Sequence, residues 1–459
     1  MYEETLKILS RTTLIICTVV AILTIASTMD NLRVAYQWKT LDFDYSSPRV
    51  REEAINKKEF IPENNIPVGL EVVGKRLFLT IPRWKRGVAA SLAYIDRTTA
   101  PTDSPKLRPY PNWDAHTFIG RNPPDIVSPF RIRADACDRL WVLDTGTEEN
   151  LTHRKTRLLI YNLRNDVLMR TYDIPGDQMK DKSFFINIAV EDHDCQDTYA
   201  YLADVASPGL VVYTYKDNRS WLVKHNYFNI DPLASELNVS GIAIQDWDDG
   251  VFGLALSSPD PDGYSTLYFH PMISFDEFAV STKILRDEDK AKNPANYYDF
   301  RHLGSRGPKG QSGASFLDTK SGVLFYTLIN LNAVICWRTP NVSYTMESQG
   351  RIFMSNETMV FPNDIKVDND SNLWVLSDKL PVFLYSSLDY GEVNFRIMTA
   401  KVEDAIRDTA CAPILETNPV IMDKLTPIIG KTAKAASRCC QIKLSLGLFV
   451  LAVASALFK

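Results

Sequence analysis

Five polar side chains could meet around a small molecule if the fold brings them together: Arg131, Asn187, Ser240, Asn363 and Asp364. Two aromatic residues accompany them, Phe130 just before Arg131 and Phe361 just before the Pro362-Asn363-Asp364 run. A carboxylate that takes a proton, with a guanidinium or amide that steadies a developing oxyanion, is enough for proton-transfer chemistry without a redox cofactor. Asp364 is the candidate base, and Arg131 is the candidate oxyanion partner. Phe130, Asn187, Ser240, Phe361 and Asn363 are candidate ligand contacts. The competing reading is that these groups bond only to one another and to water.

Familiar catalytic signatures are missing from the chain. It has no H-E-x-x-H, no G-x-x-x-x-G-K-[ST] and no G-x-G-x-x-G, and Gly310-Gln311-Ser312-Gly313 falls one residue short of a nucleophile elbow. Asp246-Trp247-Asp248-Asp249-Gly250 looks like the start of a calcium loop. The twelfth position of such a loop needs Glu and is Ser257, so the run reads as a polar turn. The six histidines are scattered without ligand spacing. No cofactor and no metal are expected. The phrase Phe361-Pro362-Asn363-Asp364-Ile365 resembles the P-N-G/D stretch of gluconolactonase- and paraoxonase-type propellers, whose Asn helps hold a central Ca²⁺. Those enzymes complete the cage with an early inner-strand Glu. Here that place holds Val68-Gly69, with Glu71 two residues on.

A repeat is what would position these residues. Ser128–Gly146 reads as an alternating strand, an Asp-rich turn and a second strand, and Phe361–Asp378 repeats the pattern. Similar pairs follow at Gly69–Val73 with Arg76–Ile81, Asn187–Val190 with Thr198–Leu202, Gly241–Ile244 with Val251–Leu256, and Ala314–Leu317 with Val323–Thr327. Third strands are expected near Tyr94, Tyr161, Val212, Tyr268, Trp337 and Tyr385. Six units of this kind suit four-stranded blades, which predicts an all-β fold, a six-bladed β-propeller in a single domain over residues 31–415. In that register the candidate residues start the inner strands and face one mouth of the central channel. Cys137 and Cys195 occupy comparable turns of neighbouring units. Cys336 lies in the fifth unit and Cys411 just beyond the last. Of the three connectivities open to four cysteines, the register favours Cys137–Cys195 and Cys336–Cys411.

The ends and composition speak to location. Lys7 and Arg11 precede the apolar run Leu14–Ala26, an N-terminal signal peptide over 1–28. Sequons at Asn150, Asn218, Asn238, Asn341 and Asn356 agree with export and glycosylation. A linker over 416–443 leads to a C-terminal hydrophobic tail over 444–458. The tail is either a GPI signal or a short membrane anchor, with a buried terminal helix as the remaining alternative. The expected location is extracellular, with attachment at the cell surface if the tail is retained or exchanged for a lipid. Net charge is −5 with no basic stripe, so nucleic acid is not an expected partner. Arg83-Trp84-Lys85-Arg86 reads as a short solvated loop. A monomer is expected.

Long ordered motifs also resemble the insect yellow/major royal jelly protein family. They include IPENNIPVGLEV (Ile61–Val72), RLFLTIPRWKRGVAASLAYI (Arg76–Ile95), SPKLRPYPNW (Ser104–Trp113), CDRLWVLDTG (Cys137–Gly146) and NLWVLSD (Asn372–Asp378). The resemblance implies a six-bladed propeller with a ligand site at one channel mouth. It also implies a role in catecholamine or melanin pigmentation, by binding or isomerising a dopa-derived ligand, as in dopachrome conversion. The alternatives are a non-catalytic binder of a small aromatic amine, a structural cuticle or eggshell protein, and a calcium-dependent lactonase.

Overall fold

Each hairpin foreseen around an Asp-rich turn forms one wedge of a ring. The computed structural model describes residues 31–413 apart from 119, 121, 246 and 342. The expected signal peptide, linker and tail, with Cys17, Cys439 and Cys440, lie outside the described residues. Six antiparallel four-stranded sheets carry the fold, and their innermost strands touch in ring order. Those inner strands are Gly69–Val73, Pro129–Ala134, Phe185–Glu191, Val251–Leu256, Ser312–Asp318 and Pro362–Val367, which define blades one to six. This is the six-bladed propeller. Among the described residues no helix is long and apolar enough to cross a membrane.

The ring is closed by its two ends. Arg33–Trp38 forms the outer strand of blade six, pairing with Phe395–Lys401 from Arg33↔Thr399 to Trp38↔Phe395. Trp38 is 1% exposed, and its indole N–H donates to Pro105 O at 2.8 Å. The charged stretch that follows becomes a helix, Pro48–Asn56, because Ser47 caps its start by accepting Val50 N–H.

Two units differ from the sequence reading. In blade four, Val251–Leu256 is the inner strand and not the second one, and Tyr268 lies in the second strand. Ile242–Ile244 belongs instead to a separate two-stranded hairpin with Leu237–Val239. In blade six, Tyr385 ends a short helix, Leu380–Tyr385, and the third strand comes later at Phe395–Lys401.

The inner strands leave one backbone edge towards the axis, where unpaired groups would be costly. Side chains from the preceding blade take up part of that edge. Glu71 accepts Ala134 N–H at 3.0 Å, and Thr80 donates to Phe130 O at 2.6 Å, joining blades one and two. Asn187 donates to Phe252 O at 2.6 Å, and His270 donates to Gly313 O at 2.8 Å. Asp364 accepts Leu70 N–H at 2.8 Å, which ties blade six to blade one. The blades approach so closely that a Cβ on Gly69 would lie 2.4 Å from Phe130 O.

The disulfides pair Cys137 with Cys195, linking blades two and three, and Cys336 with Cys411, tying the end of the described chain to blade five. Two disulfides fit an oxidising, extracellular compartment. The acceptor asparagines at 150, 218, 238 and 356 are exposed, and Asn341 is half-buried.

Candidate functional site

The inner strands begin at one mouth of the channel, and a cavity of about 240 Å³, here the upper cavity, opens there. Its walls are aromatic. Phe130 stands edge-on between Trp84 and Phe184, with ring centroids 4.9 and 4.8 Å away. Phe252, Trp247 and Tyr385 complete the enclosure, and Asp248 and Asp249 lie on the rim. Arg131 and Asn363 form the floor.

The wall residue Trp84 owes its position to Arg83. The Arg83 guanidinium is 5% exposed and donates to Val127 O at 2.9 Å, to His116 O at 2.9 Å and to Val88 O. Burial lowers its pKa to about 10. Lys85 lies 3.8 Å from the centre of the Phe383 ring and donates to Phe383 O, clasping the blade-six helix. The expected solvated loop is therefore a structural anchor, and only Arg86 in it is exposed.

The floor is a buried charge network. Arg131 is 2% exposed and donates through Nη2 to Asn363 Oδ1 at 2.6 Å and Asn363 O at 2.9 Å. Burial lowers its pKa, and Asp364 opposes that shift. Asn363 donates in turn to Asp378 Oδ2 at 2.5 Å. Asp378 is fully buried, and desolvation raises its pKa to about 8. Beneath the floor, Asp364 accepts from Leu70 N–H, Ile365 N–H and Lys366 Nζ, the last at 2.6 Å, and Arg131 Nε lies 3.7 Å away.

Of the residues singled out in the sequence, Phe130, Arg131 and Asn363 meet in this cavity. The others do not join them. Asp364 is 0% exposed and lines neither channel mouth, because its oxygens are taken by the backbone and by Lys366. A base in that position cannot reach a ligand. Asn187 lines the opposite mouth, a polar cavity of about 440 Å³, with its amide committed to Phe252 O. Phe361 is buried behind Trp247, their rings stacked at 5.7 Å. Ser240 is exposed at the tip of the extra hairpin, displaced from the axis by the blade-four register. The calcium cage does not fit either: Arg131 occupies Asn363 Oδ1, and Lys366 occupies Asp364 Oδ1. The protein's own cations occupy the oxygens that a metal would need as ligands.

The sequence reading missed Asp249, which is half-buried and accepts the Trp247 indole N–H at 2.7 Å. Desolvation raises its pKa to about 6. The signal was present as a Trp set inside an Asp-rich turn. A polar turn has no reason to carry a large ring unless that ring is packed against something.

Comparison with known proteins places the chain in a family. The family model described as major royal jelly protein matches residues 127–411. The chain is 40% identical over 403 residues to Protein yellow of Drosophila melanogaster, covering 86% of this chain and 74% of that protein. It is 42% identical over 386 residues to Protein yellow of Drosophila subobscura, covering 83% and 67%. Among solved structures it aligns with a luciferin-regenerating enzyme at a TM-score of 0.42 and 12% identity, covering 73% of this chain and 91% of that one. From hairpin repeat to ring closure to sequence identity, the chain belongs to the yellow/major royal jelly protein family.

Proposed function

We propose that this protein acts outside the cell in pigmentation chemistry, binding a dopa-derived aromatic molecule in the upper cavity and promoting its isomerisation. The observation that carries this reading is the segregation of the cavity: aromatic walls, a cationic floor at Arg131, and a carboxylate at the rim in Asp249. A cavity of about 240 Å³ suits a ligand of one or two rings, since pockets for drug-sized molecules start at roughly 300 Å³. The relationship to the yellow proteins supports the pigmentation setting.

In the isomerisation, Asp249 takes the role first expected of Asp364. A carboxylate with a pKa of about 6 is ionised at neutral pH and basic enough to accept a proton. Arg131 at the opposite end orients the ligand in the cavity. Tautomerisation moves a proton and an electron pair within the ligand and leaves its oxidation level unchanged. Purified protein should speed the decay of dopachrome, followed by absorbance. Asp249→Asn should abolish the acceleration, at ligand concentrations that saturate the weakened site. A wild-type rate equal to that of buffer overturns the catalytic reading, and tight binding without turnover favours a carrier of aromatic amines.

A further inference from the structure

We propose that the upper cavity selects aromatic ligands bearing a carboxylate, which lies on the floor against Arg131 and Asn363, with the ligand's amine or ring N–H at the rim. This rests on the reading of the cavity as an aromatic-ligand site and adds which members of that class it takes.

The first observation is a count of charges at the base of the channel. Arg131 and Lys366 are both buried cations, with side chains 2% and 7% exposed. Between them lies one carboxylate, Asp364, at 3.7 Å from Arg131 Nε and 2.6 Å from Lys366 Nζ. The second acid at this level, Asp378, makes no ion pair among the described residues. Its oxygens accept from Asn363 Nδ2 and Leu380 N–H. Burial raises the pKa of that acid to about 8, against the opposing pull of its hydrogen bonds and of Arg131. The carboxylate nearest Arg131 is thus already held by Lys366 on the side of the opposite cavity, and a buried cation without a close counter-ion is unfavourable.

The second observation is that the guanidinium is not saturated. Arg131 Nε faces Asp364 beneath the floor at 3.7 Å, and Nη1 makes only a long contact of 3.3 Å with Phe130 O, which leaves it able to donate to a ligand beside Nη2. A carboxylate is the ligand group that pairs best with an arginine fork. The third observation is the opposite polarity of the rim. Asp248 and Asp249 would repel a carboxylate there and favour an amine or N–H donor. The two ends therefore impose one orientation on a dipolar aromatic ligand. A decarboxylated relative would leave the floor charge uncompensated.

The test uses matched ligand pairs on the folded wild-type protein by calorimetry: dopa against dopamine, dopa against its methyl ester, and indole-2-carboxylate against indole. The carboxylated member of each pair should bind about tenfold or more tightly, the gain from one charge-assisted hydrogen bond. Arg131→Gln should bring dopa to the affinity of dopamine. The ligand pairs decide the matter alone if that variant fails to fold. Equal affinity within the pairs, or tighter binding of the decarboxylated members, overturns the selectivity while leaving the aromatic site intact. No binding by any of these molecules overturns the aromatic-site reading and the selectivity with it.

Discussion

Protonating Asp249 should disarm the rim of the cavity, and the size of the effect follows from its environment. Its pKa of about 6 results from desolvation, partly offset by the Trp247 indole N–H 2.7 Å away. The carboxylate is ionised in about 0.9 of molecules at pH 7 and in about 0.09 at pH 5, by simple titration. If the ionised form holds the ligand's amine, the affinity for dopa falls about tenfold between these values. The dopa carboxylate and amine both keep their charges over this range, so the change reports on the protein. Calorimetric titration at pH 5, 6, 7 and 8 gives the curve. Dihydroxyphenylpropionate, which lacks the amine, should show no such loss, and Asp249→Asn should bind dopa weakly and equally from pH 5 to 7, below the range in which Asp378 ionises. The reasoning fails if the amine-free acid follows the same curve, or if Asp249→Asn keeps the pH dependence.

Other perturbations probe the scaffold beneath the site. Asp364→Ala should destabilise the fold by about 3–5 kcal/mol, because it strands Arg131 and Lys366; a urea midpoint unchanged from wild type would contradict the network. Asp378 has a folded pKa of about 8 against an ordinary 3.8, so its proton is held by the folded state alone between those values. Its contribution to stability is intact below about pH 4 and is lost as pH rises towards 8, by up to about 1.4 kcal/mol per pH unit. Asp378→Asn should flatten that slope in denaturation midpoints taken from pH 5 to 8. Replacing Cys137 and Cys195 together by Ser removes a link spanning 58 residues. The expected loss is about 4 kcal/mol from the loop-entropy relation, read by chemical denaturation under non-reducing conditions.

The ring was legible because period-two alternation around acidic turns is a local signal that survives in a single sequence. The mouth was legible only where it is made of strand residues: Phe130, Arg131 and Asn363 follow from the blade register. Trp84, Trp247, Asp249 and Tyr385 stand on connections between strands, which have no periodicity to read. Blade four was misaligned because an extra hairpin, Leu237–Ile244, precedes its inner strand and has the same apolar pattern. The polarity of Asn187 and Asp364 was read as ligand chemistry, yet each is used up on a backbone group of the next blade and on neighbours in its own strand. In this fold an inner-strand polar residue has a structural employer beside it. Only geometry separates that use from a binding role.

The pairing of Arg33 with Thr399 sets a timetable for the chain's birth. The strand that seals the ring is made among the first described residues, and its partner is made 366 residues later. At a synthesis rate of roughly 5–20 residues per second, Arg33–Trp38 waits about 20–70 seconds with nothing to pair with. Throughout that interval Trp38 has no closed ring to enter. A nascent chain cut short before Phe395 holds five complete blades and an open seam, and it presents that seam to whatever surveys unfinished proteins. The ring can close only once Phe395–Lys401 has been made, so the order of the strands delays closure until the last blade is complete.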